Sequence, residues 1–119
     1  MAKASSSTGI EKDFGPAVDR VTVVDGYSIS FVTIKQTHDL APILAKLPTG
    51  RCTCPHWGYV LKGSMTVRYE DHEETITAGE AFYMPPGHAP EAEAGTELVQ
   101  FSPADQIAEV EAALLAAMS

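Results

Sequence analysis

Long apolar runs are missing from this sequence of 119 residues, and positive charge is scarce. Because no run reaches about 18 apolar residues, the sequence offers no candidate for a membrane-spanning helix. Eight Lys and Arg residues stand against 16 Asp and Glu residues, which gives a net charge of −8. Such a charge opposes binding to nucleic acid and to anionic membranes. We therefore predict a protein that binds neither of these partners.

Cysteine is also scarce, since Cys52 and Cys54 are the only two in the chain. A disulfide between them would be strained on an extended strand, because their Cα atoms would lie near the limit of about 7 Å. Reduced thiols are typical of cytosolic proteins. The N-terminal segment also lacks the apolar centre of a secretory signal. Both observations predict a cytoplasmic location.

The length and composition predict one domain. Small polar residues at the start predict disorder over residues 1–12. The single domain is then expected over residues 13–119, with a β-structure to about residue 102 and a helix over 103–118.

Short apolar segments separated by turn residues predict an all-β fold between Arg20 and Ser102. The pair Asp25-Gly26 interrupts a β-branched segment in the way that a hairpin turn does. Several strands at regular spacing indicate an antiparallel sandwich or barrel. Pro42 and Pro48 leave room for only a short helical turn between the early and later strands.

The C-terminal segment changes to helical spacing, with apolar residues that recur on one face: Ile107, Val110, Leu114 and Met118. Ser102 is predicted to be the N-cap, Pro103 the first helical residue, and Asp105 the second member of a capping box. The apolar face is expected to pack on the β-structure or on a partner subunit.

The segment RCTCPHWGYVLKG, from Arg51 to Gly63, places Cys52, Cys54 and His56 at every second position. Side chains at this spacing share one face of a regular strand, so two thiols and an imidazole would point the same way. Pro55 lies between them and has no N–H for strand pairing, so it can break the alternation.

Two motifs of glycine and proline make the chain resemble a cupin, a small jelly-roll barrel (double-stranded β-helix). YVLKG ends the first motif at Gly63, and GEAFYMPPG forms the second from Gly79 to Gly87. The segments CPHWGYVLKG and PPGHAPEA are similar to those of a group of small single-domain bacterial cupins. The resemblance implies an all-β cupin barrel with one C-terminal α-helix. It also implies a homodimer in which the early strands pair with the second subunit.

The resemblance further implies a metal site in the barrel, which the family forms from three histidines and one glutamate. Counted from Gly63, the glutamate position holds His56, and the two histidine positions hold Gly50 and Cys52. The usual set of ligands is therefore absent, and any metal site is built from substitutes.

In the second motif the family's histidine position holds Pro90, and His88 lies two residues earlier. We predict a substitute ligand set: Cys52, Cys54, His56 and His88. Two thiolates and two imidazoles are typical of zinc, and sulfur favours zinc or copper over harder ions. Zinc is the favoured ion, while iron, nickel, copper and manganese stay open. The alternative is a metal-free pocket in which both cysteines pack as small apolar residues.

On the second-motif strand, alternation lets either Phe82 or Tyr83 line the pocket, and Met84 shares the parity of Phe82. Trp57 and Tyr59 are expected on the opposite face, in subunit or sheet packing. The resemblance implies binding of a small organic ligand. Whether the chain is a metal-dependent enzyme of isomerase or dioxygenase type, or a metal-free sensor or accessory module, stays open. No catalytic residue is predicted.

Overall fold

The computed structural model describes residues 3–118, and the side chains up to residue 116. It contains ten strands and two helices within that range: β1 (Ile10–Asp13), β2 (Ala17–Val24), β3 (Tyr27–Ile34), β4 (His38–Asp39), α1 (Ala41–Leu44), β5 (His56–Lys62), β6 (Ser64–Arg68), β7 (Glu73–Thr77), β8 (Ala81–Met84), β9 (Ala89–Ala92), β10 (Glu97–Pro103) and α2 (Ala104–Met118).

The strands form two antiparallel sheets that share one core. The larger sheet has the order β1-β2-β3-β10-β5-β8, and the smaller has the order β4-β9-β6-β7. Alternate side chains of both sheets point inward, as strand geometry requires. They bury a cluster that includes Val60 and Leu98 from the larger sheet and Met65, Val67 and Ile76 from the smaller. The predicted jelly-roll architecture with one C-terminal helix is confirmed.

The hairpin predicted at Asp25-Gly26 is present between β2 and β3. Both residues have positive φ, 49° and 81°, which is the conformation of a two-residue type I′ turn. β3 then pairs with β10 through its other edge. Since β2 lies between β1 and β3, neither β2 nor β3 has a free edge. β1, the earliest strand, keeps one edge unpaired among the described strands, and pairing of the early strands with a second subunit stays a prediction.

The strand β1 lies inside the segment 1–12 that was expected to be disordered, apart from its last residue. It pairs with β2 from Ile10 opposite Val21 to Asp13 opposite Val18. Met1 and Ala2, which belong to the same segment, lie outside the described residues. The domain boundary at residue 13 stays a prediction.

The start of α2 differs from the prediction. Ser102 and Pro103 are the last residues of β10, and the helix begins at Ala104. Asp105 accepts a hydrogen bond from the Gln106 backbone N–H at 2.9 Å. Ser102 is therefore not the N-cap. Its side chain is buried and has a different partner, described below.

The apolar face of α2 packs on the chain's own β-structure. Ile107, Val110 and Leu114 contact a buried cluster whose members are Leu44, Cys52, Cys54 and Ala89. A salt bridge of 3.2 Å between Lys12 and Glu111 links β1 to the helix. The side chain of Met118, the last member of the predicted apolar face, lies outside the described residues.

Candidate metal centre

Backbone hydrogen bonds join the two motifs that the sequence singled out. The regular strand β5 begins at His56 rather than at Arg51, so Cys52 lies before it in an isolated bridge to His88. The Cys52 N–H donates to the His88 carbonyl at 3.0 Å, and the Gly87 N–H donates to the Cys52 carbonyl at 2.8 Å. This bridge places Cys52, from the first motif, beside His88, which directly follows the second motif.

Three of the four predicted ligands come together at this bridge. The ligand atoms of Cys52, His56 and His88 all lie within 4.8 Å of one another. The three residues are 6%, 5% and 1% exposed. The Cys52 Sγ is 3.8 Å from the His56 Nε2, and the two imidazole centroids are 4.8 Å apart.

The distance between Cys52 Sγ and His56 Nε2 suits two ligands of one metal ion. Bonds of about 2.3 Å to sulfur and about 2.05 Å to nitrogen, at angles of about 109° to 120°, place the two ligand atoms about 3.6–3.8 Å apart. The separation of 3.8 Å between Cys52 Sγ and His56 Nε2 falls at the wider, trigonal end of that range. An ion would fit between them with little movement of either side chain.

The His88 imidazole is held in one tautomer. Its Nδ1 lies 2.7 Å from the Pro85 carbonyl, which can only accept, so Nδ1 carries the proton. The neutral ring then has a lone pair on Nε2, and this atom is buried without a hydrogen-bond partner among the described residues. A buried polar atom without a partner costs about 1–3 kcal/mol. A metal ion bound at Nε2 would remove that cost.

Ser102 holds the other imidazole. Its Oγ is 2.6 Å from the His56 Nδ1. When Nδ1–H donates to the hydroxyl, Nε2 is left free to bind a metal, which is the usual arrangement of a metal-binding histidine. The sequence analysis missed this role, because 46 residues separate the pair and only the strand pairing of β5 with β10 brings them together.

Burial sets the protonation of all three side chains. Burial, followed by the neighbouring His88, lowers the pKa of His56 to about 3. Burial also lowers the pKa of His88 and raises the pKa of the Cys52 thiol. Both imidazoles are therefore neutral, as a metal ligand must be, whereas the thiol has to release its proton when a metal binds.

Cys54, the fourth predicted ligand, is not part of this group. Its thiol donates to the Pro55 carbonyl at 3.5 Å and packs in the cluster beneath α2. Residues 53–55 are not in a strand, so the alternation expected before His56 is broken at Pro55. Burial first, then Cys52 and Asp105, raise the pKa of Cys54 to about 12.

A cavity of about 280 Å³ lies on the Cys54 side of the segment. Its walls come from the loop after α1 and from one face of α2, and include Leu47, Arg51, Cys54, Glu109, Val110 and Ala113. A second cavity, of about 480 Å³, opens beside outward-facing residues of β6 and β9, among them Thr66 and Glu91.

The inner face of β8 behaves as the alternation predicted. Phe82 and Met84 are buried at 8% and 1% exposure, whereas Tyr83 is 48% exposed. Trp57 and Tyr59 lie on the outer face of β5, also as predicted, and Trp57 stacks on Tyr83 with ring centroids 5.0 Å apart.

The two-sheet jelly roll is a fold that similar solved structures share, among them proteins described as cupins. The polyketide cyclase RemF from Streptomyces resistomycificus has a TM-score of 0.64 at 15% identity, over 87% of this chain and 80% of that chain. An RmlC-like cupin from Shewanella frigidimarina has a TM-score of 0.57 at 16% identity, over 84% and 88% of the respective chains. A cupin superfamily protein from Desulfitobacterium hafniense has a TM-score of 0.56 at 12% identity, over 79% and 83%.

A family model described as the AraC-like ligand-binding domain matches residues 56–104. The chain therefore has the cupin-type jelly-roll fold, and its residues 56–104 are similar to a ligand-binding domain. The comparison with curated proteins finds no significant match. In the described part of the chain, no helix has the length and apolar character needed to cross a membrane.

Proposed function

We propose that this cupin domain binds one transition-metal ion through Cys52, His56 and His88. The observation that carries the proposal is the His88 Nε2, a buried nitrogen without a hydrogen-bond partner among the described residues, in a residue whose ligand atom lies within 4.8 Å of those of Cys52 and His56. The three side chains come from two segments that the Cys52–His88 bridge already holds together. Binding would therefore need little reordering of the chain.

The ligand chemistry favours an ion that accepts both sulfur and imidazole. One thiolate and two imidazoles suit zinc, and they also suit copper. The bound ion would supply positive charge that keeps the Cys52 sulfur deprotonated in its buried site. Ser102 would orient His56 and the Pro85 carbonyl would orient His88, each through the imidazole nitrogen that the metal leaves free.

Metal analysis of protein purified without a histidine tag tests the proposal. We expect about one ion per chain, and its loss in His88→Ala. His72→Ala is the matched control, because His72 lies in an exposed turn between β6 and β7. If untagged protein carries no metal, and the stripped protein also binds neither zinc nor copper in a calorimetric titration, the proposal fails.

We also propose, as a second function, that a small organic molecule binds in the cavity between the loop after α1 and α2. Its volume of about 280 Å³ is close to the lower end of ligand pockets, which is about 300 Å³. The match of residues 56–104 to a ligand-binding family model supports ligand binding by the domain, and the cavity is lined by residues on either side of the matched range. The barrel interior is a poorer candidate, since apolar side chains such as Val60 and Val67 fill it.

A fragment library screened by ligand-observed NMR tests the cavity. Val110→Trp should abolish the binding of any hit, because the indole would occupy the cavity. Leu115→Trp, at a position 70% exposed on the same helix, should leave binding intact. Hits that survive Val110→Trp would place the ligand elsewhere.

The predicted homodimer would use the outer face of the larger sheet. Trp57, Tyr59, Tyr83 and Phe101 are each at least 39% exposed, and they occupy neighbouring positions on β5, β8 and β10. An uncharged aromatic surface of this kind suits a second copy of itself. Light scattering should give twice the chain mass, reduced to one chain mass in Tyr59→Lys. The cytoplasmic location and the lack of nucleic-acid binding stay predictions.

A further inference from the structure

We propose that the metal is copper and that the Met84 thioether supplies a fourth, weak ligand. This inference rests on the metal site proposed above, and goes further by naming the ion and its redox character. The three ligands argued so far leave the ion open on one side. Met84, on the inner face of the neighbouring strand β8, is the candidate for that side.

Met84 is the residue directly opposite His56 on β8. Directly opposite residues of an antiparallel pair have Cβ atoms about 4.5–5.5 Å apart, on the same face of the sheet. Both side chains point inward, at 1% and 5% exposure. A methionine side chain has three rotatable bonds and a polarizable sulfur, so it can reach a neighbouring site from this position.

The proposed set is one thiolate and two imidazoles, to which the Met84 thioether would turn from the apolar cluster that it shares with Val60 and Phe82. A trigonal His₂Cys site with a weak axial methionine is the ligand set of a mononuclear copper centre that exchanges electrons. The separation of 3.8 Å between Cys52 Sγ and His56 Nε2, which is that of a thiol–imidazole hydrogen bond, is wide enough for an ion to replace the shared proton. Zinc gains little from a thioether, whereas copper binds N and S donors most tightly of the first-row divalent ions.

The chemistry at such a centre is the transfer of one electron. Copper held by these side chains would supply a site that accepts one electron from an external reductant such as ascorbate, which would itself be oxidised by one electron. Because both imidazoles are neutral and the thiolate is ionised while metal is bound, neither oxidation state requires a proton to move at these three ligands. Burial of the site would keep the ligand geometry similar in both states.

The test adds Cu(II) to metal-free protein and records the visible and electron paramagnetic resonance spectra. We expect one copper per chain and an intense visible band from thiolate-to-copper charge transfer, which ascorbate bleaches. Cys52→Ser should remove the band. Met84→Leu keeps the side-chain volume, so the protein should fold, but the band should shift and the midpoint potential should rise.

Met65→Leu is the matched control, because Met65 is a second buried thioether on the smaller sheet and is not paired with His56. Its spectrum should equal that of the unaltered protein. Binding of zinc together with copper that gives no charge-transfer band would overturn this inference and leave the metal site standing. A Met84→Leu spectrum identical to that of the unaltered protein would exclude the thioether. Failure to bind any metal would remove both proposals.

Discussion

Two cysteines that are two residues apart share one buried cluster, yet their thiols have different neighbours. Cys52 faces two neutral imidazoles, with its sulfur 3.8 Å from one of them. Cys54 lies against α2 and lines a cavity on the other side of the segment. Local sequence chemistry is nearly the same for both thiols. The difference shows that the path of the backbone, rather than the residue type, selects which thiol can become a ligand.

The largest effect should come from exchanging one thiol at a time. Cys52→Ser should lose the bound metal, because serine is a poor ligand for a soft ion. Cys54→Ser should keep about one metal per chain. Mass spectrometry of both variants after reconstitution with zinc or copper measures their metal content and so shows which thiol is a ligand. Metal loss in Cys54→Ser with retention in Cys52→Ser would reverse the comparison.

Acid should lower the free energy of unfolding of the metal-free protein through His56. The pKa of His56 is near 6.5 when unfolded and about 3 when folded, so the folded state favours the neutral ring. The stabilisation is complete above about pH 6.5 and is lost as the pH falls towards about 3, by on the order of 2–4 kcal/mol. Urea denaturation in EDTA over this pH range should show that the free energy of unfolding falls as the pH falls. The His56→Gln variant should reduce this dependence on pH. An unchanged slope in His56→Gln would contradict this origin, and His72→Gln is the exposed control.

Removing the Ser102 hydroxyl should weaken the metal site without removing any of its ligands. Loss of a hydrogen bond that orients a metal-binding histidine costs roughly 10–100-fold in metal affinity. We expect this decrease for Ser102→Ala in a competition titration with a chelating dye. Ser30→Ala removes another buried hydroxyl from the inner face of the same sheet, and it should leave the affinity unchanged. Equal losses in both variants would indicate a general effect on the sheet.

Asp19, near Glu111 of α2, should make the free energy of unfolding depend on pH with the opposite sign and by a smaller amount. Burial first, then Glu111, raise the pKa of Asp19 to about 6, although Lys12 acts against the shift. The folded state therefore favours the protonated carboxyl, and its stabilisation is lost as the pH rises from about 3.8 through about 6. Asp19→Asn should be more stable at pH 7.5 by about 1 kcal/mol, and this gain should disappear near pH 4. Glu70→Gln, an exposed carboxyl, is the control, and equal gains in both variants would refute the explanation.

The candidate site could be predicted in part from the sequence. The glycine and proline positions identified the two motifs, and two-residue alternation placed His56 inward, Trp57 outward, and Met84 on the same face as Phe82. The same alternation was wrong for Cys54, because Pro55 interrupts the strand between the thiol and His56. The prediction of Ser102 as an N-cap also failed, since local capping patterns carry no information on the strand that the residue occupies.

The sequence by itself determined the all-β class, the C-terminal helix, the Asp25-Gly26 hairpin and the face of β5 that holds His56. These features depend on turn conformation and on side-chain period, which are properties of neighbouring residues. Only the tertiary structure decided that Cys52 bridges to His88, that Ser102 holds His56, and that Met84 lies opposite it. Those contacts depend on the register between strands that are distant in the chain, and strand register is set by the packing of the whole barrel.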